Sequence, residues 1–142
     1  MSAVFKQPVS VLVVIHTPAL DVLLLERAES TGLWQSVTGS REGDEHLADT
    51  ALREVAEETG IQATAAALHD WQLANRFVIM QRWRGRYAPG VTQNTEHVFS
   101  LCLPAITPVQ LTPDEHTAAR WVPWREAAQA VFSWTNRDAI HL

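Results

Sequence analysis

Residues 39–61 read GSREGDEHLADTALREVAEETGI, a stretch that sets four glutamates and one arginine at fixed intervals between two glycines. As a pattern it is G-x5-E-x7-R-E-U-x-E-E-x-G-U, with U aliphatic, carried by Gly39, Glu45, Arg53, Glu54, Val55, Glu57, Glu58, Gly60 and Ile61. Seven fixed positions at residue frequencies of ~6% each give a chance match on the order of 10⁻⁹ per starting position, so the spacing demands a chemical reason. At about 100° per residue, Leu47, Ala48, Ala51, Leu52 and Val55 fall on one helical stripe, which is expected to face a core. Glu54, Glu57 and Glu58 stand at i, i+3 and i+4 and crowd one edge of that stripe. Carboxylates this close raise one another's pKa values unless a cation neutralises them, and hard oxygen ligands select Mg²⁺ or Mn²⁺ over zinc. Arg53, one turn before Glu57, is placed to hold that carboxylate by a charge-assisted bond. Asp44 is the expected N-cap, and Gly60 suits the left-handed position that ends a helix.

Outside this stretch the composition sets bounds. With 142 residues and 46% hydrophobic content, the sequence is one domain long and can bury a full core. We expect a single domain over 1–142. Cys102 is the one cysteine, so no intrachain disulfide forms, and a reducing cytoplasm fits best. Its place in the apolar run 98–103 reads as a buried core thiol. The apolar stretch around 9–15 is too short to span a bilayer, and nothing suggests a membrane or export. A formal charge of -5 argues against general nucleic-acid binding. An anionic small-molecule substrate must then be drawn in by a metal and a few local cations. The oligomeric state is not legible.

The β-branched run 8–15 and the run 22–25 read as a central hairpin, and 34–38 as a short strand leading into Gly39. Further strands are expected near 62–71, 76–83, 96–103 and 120–122, and a helix over 124–132. Pro89 and Gly90 carry type II turn chemistry. Arg82, Arg84 and Arg86 alternate as if along a strand edge. The order of elements is mixed α and β.

The pattern of 39–61 is the complete Nudix box, and the chain resembles the Nudix hydrolases. The resemblance implies a fold of the α/β (α+β) class, a curved mixed sheet sandwiched between helices, with the box helix lining the site. It also implies water attack on a phosphoanhydride, with Glu54 and Glu58 as metal ligands to Mg²⁺ (Mn²⁺ as the alternative ion). Glu57 is a third ligand or the base, the two roles being inseparable at this level, and Arg53 positions the carboxylates. By the same resemblance Glu115, in LTPDEHTAARWV, is a further carboxylate for catalysis and metal binding. Its neighbour His116 reads as a solvated loop residue and is left out.

KQPVSVLVVI, LWQSVTGS, RYAPGVTQNTEH and SWTNRDAI resemble the branch of the family that hydrolyses 7,8-dihydroneopterin 3′-triphosphate to the monophosphate and pyrophosphate, early in folate synthesis, with dATP a weaker substrate. The matching substrate contacts are Lys6, Arg27, Thr38, Phe77, Val78, Ile79, Met80 and Ser133. Lys6 and Arg27 suit a triphosphate, and Phe77 and Met80 suit the faces of a flat ring. Trp34, just before the box, is a further stacking candidate. Two rival readings stand beside this one. A house-cleaning nucleotide pyrophosphatase would use the same metal chemistry on another ring, and relative rates on pterin and purine triphosphates separate the two. A nucleotide-sensing module would lack box carboxylates and carry a DNA-binding segment, whereas every box carboxylate is here.

Overall fold

A strand buried on both faces needs no polar alternation, and VSVLVVIH is apolar on both sides along most of its length. In the computed structural model, which describes residues 5–142, this stretch is β1 (Val9–His16), at the middle of the sheet. One edge of β1 pairs in parallel with β6 (Gln93–Cys102), from Val9↔Thr95 to His16↔Cys102. Its other edge is shared. β2 (Asp21–Arg27) meets it at His16↔Val22, and β4 (Val37–Ser40) runs antiparallel to it from Val13↔Val37 to Ser10↔Ser40. β3 (Trp34–Gln35) pairs with β2, so residue 36 is where the chain crosses from pairing with β2 to pairing with β1. β5 (Leu68–Val78) lies outside β6, and β7 (His116–Pro123) pairs with β2. Among the described residues these seven strands form one mixed sheet, accompanied by three α-helices: α1 (Leu47–Thr59), α2 (Trp124–Ala130) and α3 (Trp134–Ile140).

Alternation along the strands divides the core in two. Val11, Val13, Ile15, Leu23, Leu25, Val37, Phe99 and Leu101 pack with Ala51 and Val55 of α1 on one face. Leu12, Val14, Val22, Leu24 and Val98 pack with Ala127, Ala128, Ala139 and Ile140 of α2 and α3 on the other. The expected sandwich is the observed fold. Gly60 closes α1 in the left-handed conformation (φ 75°), donating its N–H to the Ala56 carbonyl at 2.9 Å. The type II turn forms at residues 88–91: Gly90 has φ 88°, and Val91 N–H donates to the Ala88 carbonyl at 3.1 Å.

Several expectations are corrected. Asp44 does not cap α1; the helix starts after His46, whose side chain makes no capping bond, while Glu45 accepts from the Glu42 N–H and the Thr50 hydroxyl. Ala48 is exposed and Leu52 only half-buried, because the helix turns Thr50, Ala51, Val55, Glu58 and Thr59 inward instead. The strands read at 62–71 and 76–83 are one strand, β5, bulged between Asp70 and Ala74. Arg82, Arg84 and Arg86 lie in a 3-10 turn, Gln81–Arg86, where Arg84 Nε donates to the Ile79 carbonyl, so they line no strand edge. Cys102 is exposed, the last residue of β6 and pointing away from its buried neighbours Leu101 and Leu103. α3 is an element the sequence reading missed. No helix among the described residues is long and apolar enough to cross a membrane.

Candidate active site

Gly39 sits in β4 beside Val11, on the sheet face that α1 covers. A Cβ at this position would overlap the Glu54 carboxylate, so the glycine is what lets α1 lay that side chain against the strand. The first glycine of the box is thus a packing requirement of its first metal-ligand candidate.

Arg53 is the hub of the outer side of α1. Its Nε donates to Glu45 Oε2 at 2.8 Å and its Nη2 to Glu45 Oε1 at 2.9 Å, a bidentate pair, and Nη2 also donates to the Ser40 carbonyl at 3.0 Å. Nη1 donates to Glu54 Oε1 at 2.8 Å and reaches Glu57 only at 3.3 Å. The expected Glu57 contact is therefore the weakest of the set, and Glu45 is the main partner. The Arg53 hydrogen bonds hold Glu45 down at about 2. One guanidinium so ties the loop (Glu45), the strand (Ser40) and the helix (Glu54) into one frame.

Glu58 is 1% exposed, and neither of its carboxylate oxygens has a hydrogen-bond partner among the described residues. Burial, and then the neighbouring charge of Glu54, push its carboxyl well above the ordinary range; burial raises Glu54 too, against the pull of Glu58 and Arg53. Glu115, exposed, is brought to Glu58 by a loop that Thr112 fastens to α1, its hydroxyl donating to the Glu57 carbonyl at 2.9 Å. Ligand atoms of Glu58, Glu115 and His116 lie within 4.8 Å of one another. A buried carboxylate with two free oxygens beside a second carboxylate is chemistry that a hard divalent cation satisfies, so the residues present fit such an ion. Glu57 stands apart, its side chain 54% exposed and turned toward Arg53.

His116 is a correction. It opens β7, is 4% exposed, and its Nε2 stands 3.5 Å from Glu58 Oε1 and 3.2 Å from Gln35 Nε2. Burial, then the charge of Arg27, lower its pKa to about 4, so the imidazole is neutral. Only its adjacency to Glu115 at the start of a strand hinted at this.

The expected substrate contacts divide into groups. Lys6 and Arg27 belong to the carboxylate side. Lys6 bridges to Tyr87 and its N–H donates to the Arg86 carbonyl at 2.8 Å; the packing around its ammonium and the Arg86 charge lower its pKa, which also feels Glu54 and Glu115. Arg27 is already held, by Glu29, by Gln35 Oε1 at 3.0 Å and by the Trp83 ring at 4.5 Å. Thr38 and Phe77 belong to the opposite sheet face, and Ser133 begins the helix that packs there. Thr38 spends its hydroxyl on the Val11 carbonyl (3.0 Å), Phe77 is half-buried opposite Asn94 of β6, and Ser133 caps α3 by accepting from Asn136 N–H at 3.1 Å. Val78 (61% exposed) and Met80 are at the surface, whereas Ile79 is buried core. Trp34 is covered by the Arg120 guanidinium at 4.2 Å.

The model of the NUDIX domain matches residues 6–142. The chain is 45% identical over 140 residues to the dihydroneopterin triphosphate diphosphatase of Escherichia coli strain K12, covering 96% of this chain and 92% of that protein. It is 37% identical to the protein of the same name from Haemophilus influenzae, covering 96% and 87%. The structure of the E. coli dihydroneopterin triphosphate pyrophosphohydrolase superposes with a TM-score of 0.91 at 44% identity, over 98% of this chain and 96% of that one.

Proposed function

The chain belongs to the NUDIX family, and on that premise we propose that it hydrolyses 7,8-dihydroneopterin 3′-triphosphate to the monophosphate and pyrophosphate with Mg²⁺, and dATP more slowly. The reaction class rests on one observation above all, the buried, unpartnered carboxylate of Glu58 facing Glu115 beside Glu54. The ring follows from the likeness to the dihydroneopterin triphosphate diphosphatases.

Glu58 and Glu115 would hold the ion, with Mn²⁺ as the alternative, and they bring the His116 nitrogen into the same cluster; Glu54, whose charge reaches Glu58, would be the third oxygen ligand. A bound ion would supply neutralisation of the charge that grows on the departing pyrophosphate. Arg53 keeps Glu54 in place through the bond at 2.8 Å, and Lys6 adds a cation at the same mouth for the triphosphate oxygens. A P–O bond to water forms as the bridge between the α and β phosphorus atoms breaks. Glu57, which stays outside the ligand cluster and open to solvent, takes the proton that the water gives up. The lone exposed thiol of Cys102 suits a reducing cytoplasm.

Product analysis by phosphorus NMR tests the reaction class. One equivalent of pyrophosphate per monophosphate, in the presence of Mg²⁺ and abolished by Glu58→Gln, is the expected result. Stepwise release of inorganic phosphate, or turnover that survives the substitution, would overturn it.

A further inference from the structure

Opposite the carboxylate side, one sheet face carries polar residues where the pattern of β1 and β6 otherwise buries aliphatic ones. Along β6, Asn94 and Glu96 precede Val98 on the face that α3 covers, and along β1 Ser10 precedes Leu12 and Val14. Ser10, Asn94 and Glu96 are 4%, 3% and 5% exposed. Asn94 Nδ2 donates to Ser10 Oγ at 2.7 Å, which leaves Asn94 Oδ1 without a partner. Among the described residues Glu96 Oε1 is also without a partner, and the Thr135 hydroxyl, at the start of α3, is near enough to lower the pKa of the same carboxyl group. Buried polar atoms are normally paired, and two orphaned acceptors two residues apart on one strand face call for donors from outside the chain.

We propose that Asn94 and Glu96 are specificity-determining residues that accept hydrogen bonds from a ring edge bearing an N–H beside an amino group. A 2-amino-4-oxo pyrimidine ring presents that pair of donors in one plane, and a carboxylate accepts both. Adenine lacks the pair, offering one amino donor beside an acceptor nitrogen. The surroundings suit a flat ring. Phe77 is the register partner of Asn94 and Asn75 that of Glu96, so the half-buried Phe77 ring stands on the same face, and Ser133 lies next to Thr135 at its rim. Tyr87 is near enough to both Ser40 of β4 and Glu96 for each to shift its pKa. Burial places the Glu96 carboxyl at about 7, with Thr135 countering, and among the described residues no cation contributes to the shift. A role in packing alone would be served as well by glutamine.

The identity of the ring rests on the pterin reading above, yet the donor edge is shared with guanine, which separates the two ideas. Glu96→Gln, assayed with dihydroneopterin triphosphate, dGTP and dATP, is expected to lower kcat/KM for the first two by ~100-fold and for dATP by less than about threefold. Retained dATP turnover reports a folded metal site. A second measurement needs no variant: the wild-type enzyme should prefer dGTP to dITP, which lacks the 2-amino donor, by about tenfold. An equal loss on all three substrates, no loss on any, or equal wild-type rates on dGTP and dITP overturns the assignment of Asn94 and Glu96. A wild-type enzyme that favours dGTP over the pterin overturns the substrate reading alone. One that cleaves only dATP overturns both.

Discussion

Two buried glutamates on opposite faces of one sheet do different things, and the difference lies in their neighbours. Glu58 is crowded by Glu54 and Glu115, and only a cation relieves it; Glu96 has hydroxyls and amides around it and waits for donors. Substitution separates the box carboxylates by role. Glu58→Gln should abolish both turnover and the protective effect of Mg²⁺ on unfolding, whereas Glu57→Gln should lower kcat by ~10²-fold or more and leave metal protection intact. Parallel loss of metal protection in Glu57→Gln would make Glu57 a ligand instead. Glu96 has a pH signature. Its folded pKa of about 7 exceeds the unfolded 4.5, so the folded state holds the extra proton, and the stabilisation present below the unfolded value is lost as pH rises through 7. The decline approaches ~3 kcal/mol at full ionisation. Urea melts between pH 5 and 8 should show it in the wild type and find it reduced by about that amount in Glu96→Gln, the rest coming from Glu54 and Glu58. His116 shows how a residue hides: one histidine after a run of polar loop residues reads as solvated, and only the pairing of β7 with β2 reveals that it is buried against Glu58.

At the scale of elements, what the sequence spells locally is what it reveals. Gly60, the Pro89-Gly90 turn and the unbroken apolar strand β1 each carry their structural reason within a few residues, and each forms as expected. β5 and the 3-10 turn after it do not, because the chain from Trp71 to Arg86 has similar aromatic and basic content throughout, and the register with β6 decides where pairing stops at Val78. α3 is only seven residues long, too short for a helical period to stand out, and its hold on the fold is made at a distance. The Ser36 N–H donates to Asn136 Oδ1 at 2.8 Å, and Asn136 Nδ2 donates to Ser36 Oγ at 3.0 Å, a reciprocal clamp at the crossing between β3 and β4. Asn136→Ala leaves a buried N–H unpaired and should cost about 1–3 kcal/mol in denaturant midpoint analysis. A change under about 0.5 kcal/mol would mean that the clamp is dispensable.

Across the whole molecule, the proposed phosphate chemistry and ring recognition fall on separate sheet faces, with β4 between them: Gly39 pairs with Val11 on the α1 side, Thr38 and Ser40 with Leu12 and Ser10 on the α3 side. A chain of formal charge -5 brings a polyanion to its most acidic cleft, which requires the cation to be bound first or with the substrate. Because Glu54 and Glu58 hold their protons above the ordinary range in the metal-free fold, Mg²⁺ must displace protons, and its stabilising effect on the melting temperature should grow as pH rises above the ordinary carboxylate range. A shift independent of pH across the range from 4.5 upward would contradict these carboxylates as ligands. The central claim is tested most directly by kcat/KM for pyrophosphate release from dihydroneopterin triphosphate and from dATP, measured side by side in Mg²⁺ buffer. The account predicts a preference for the pterin of at least ~10-fold. Equal rates, or a preference for dATP, would contradict it.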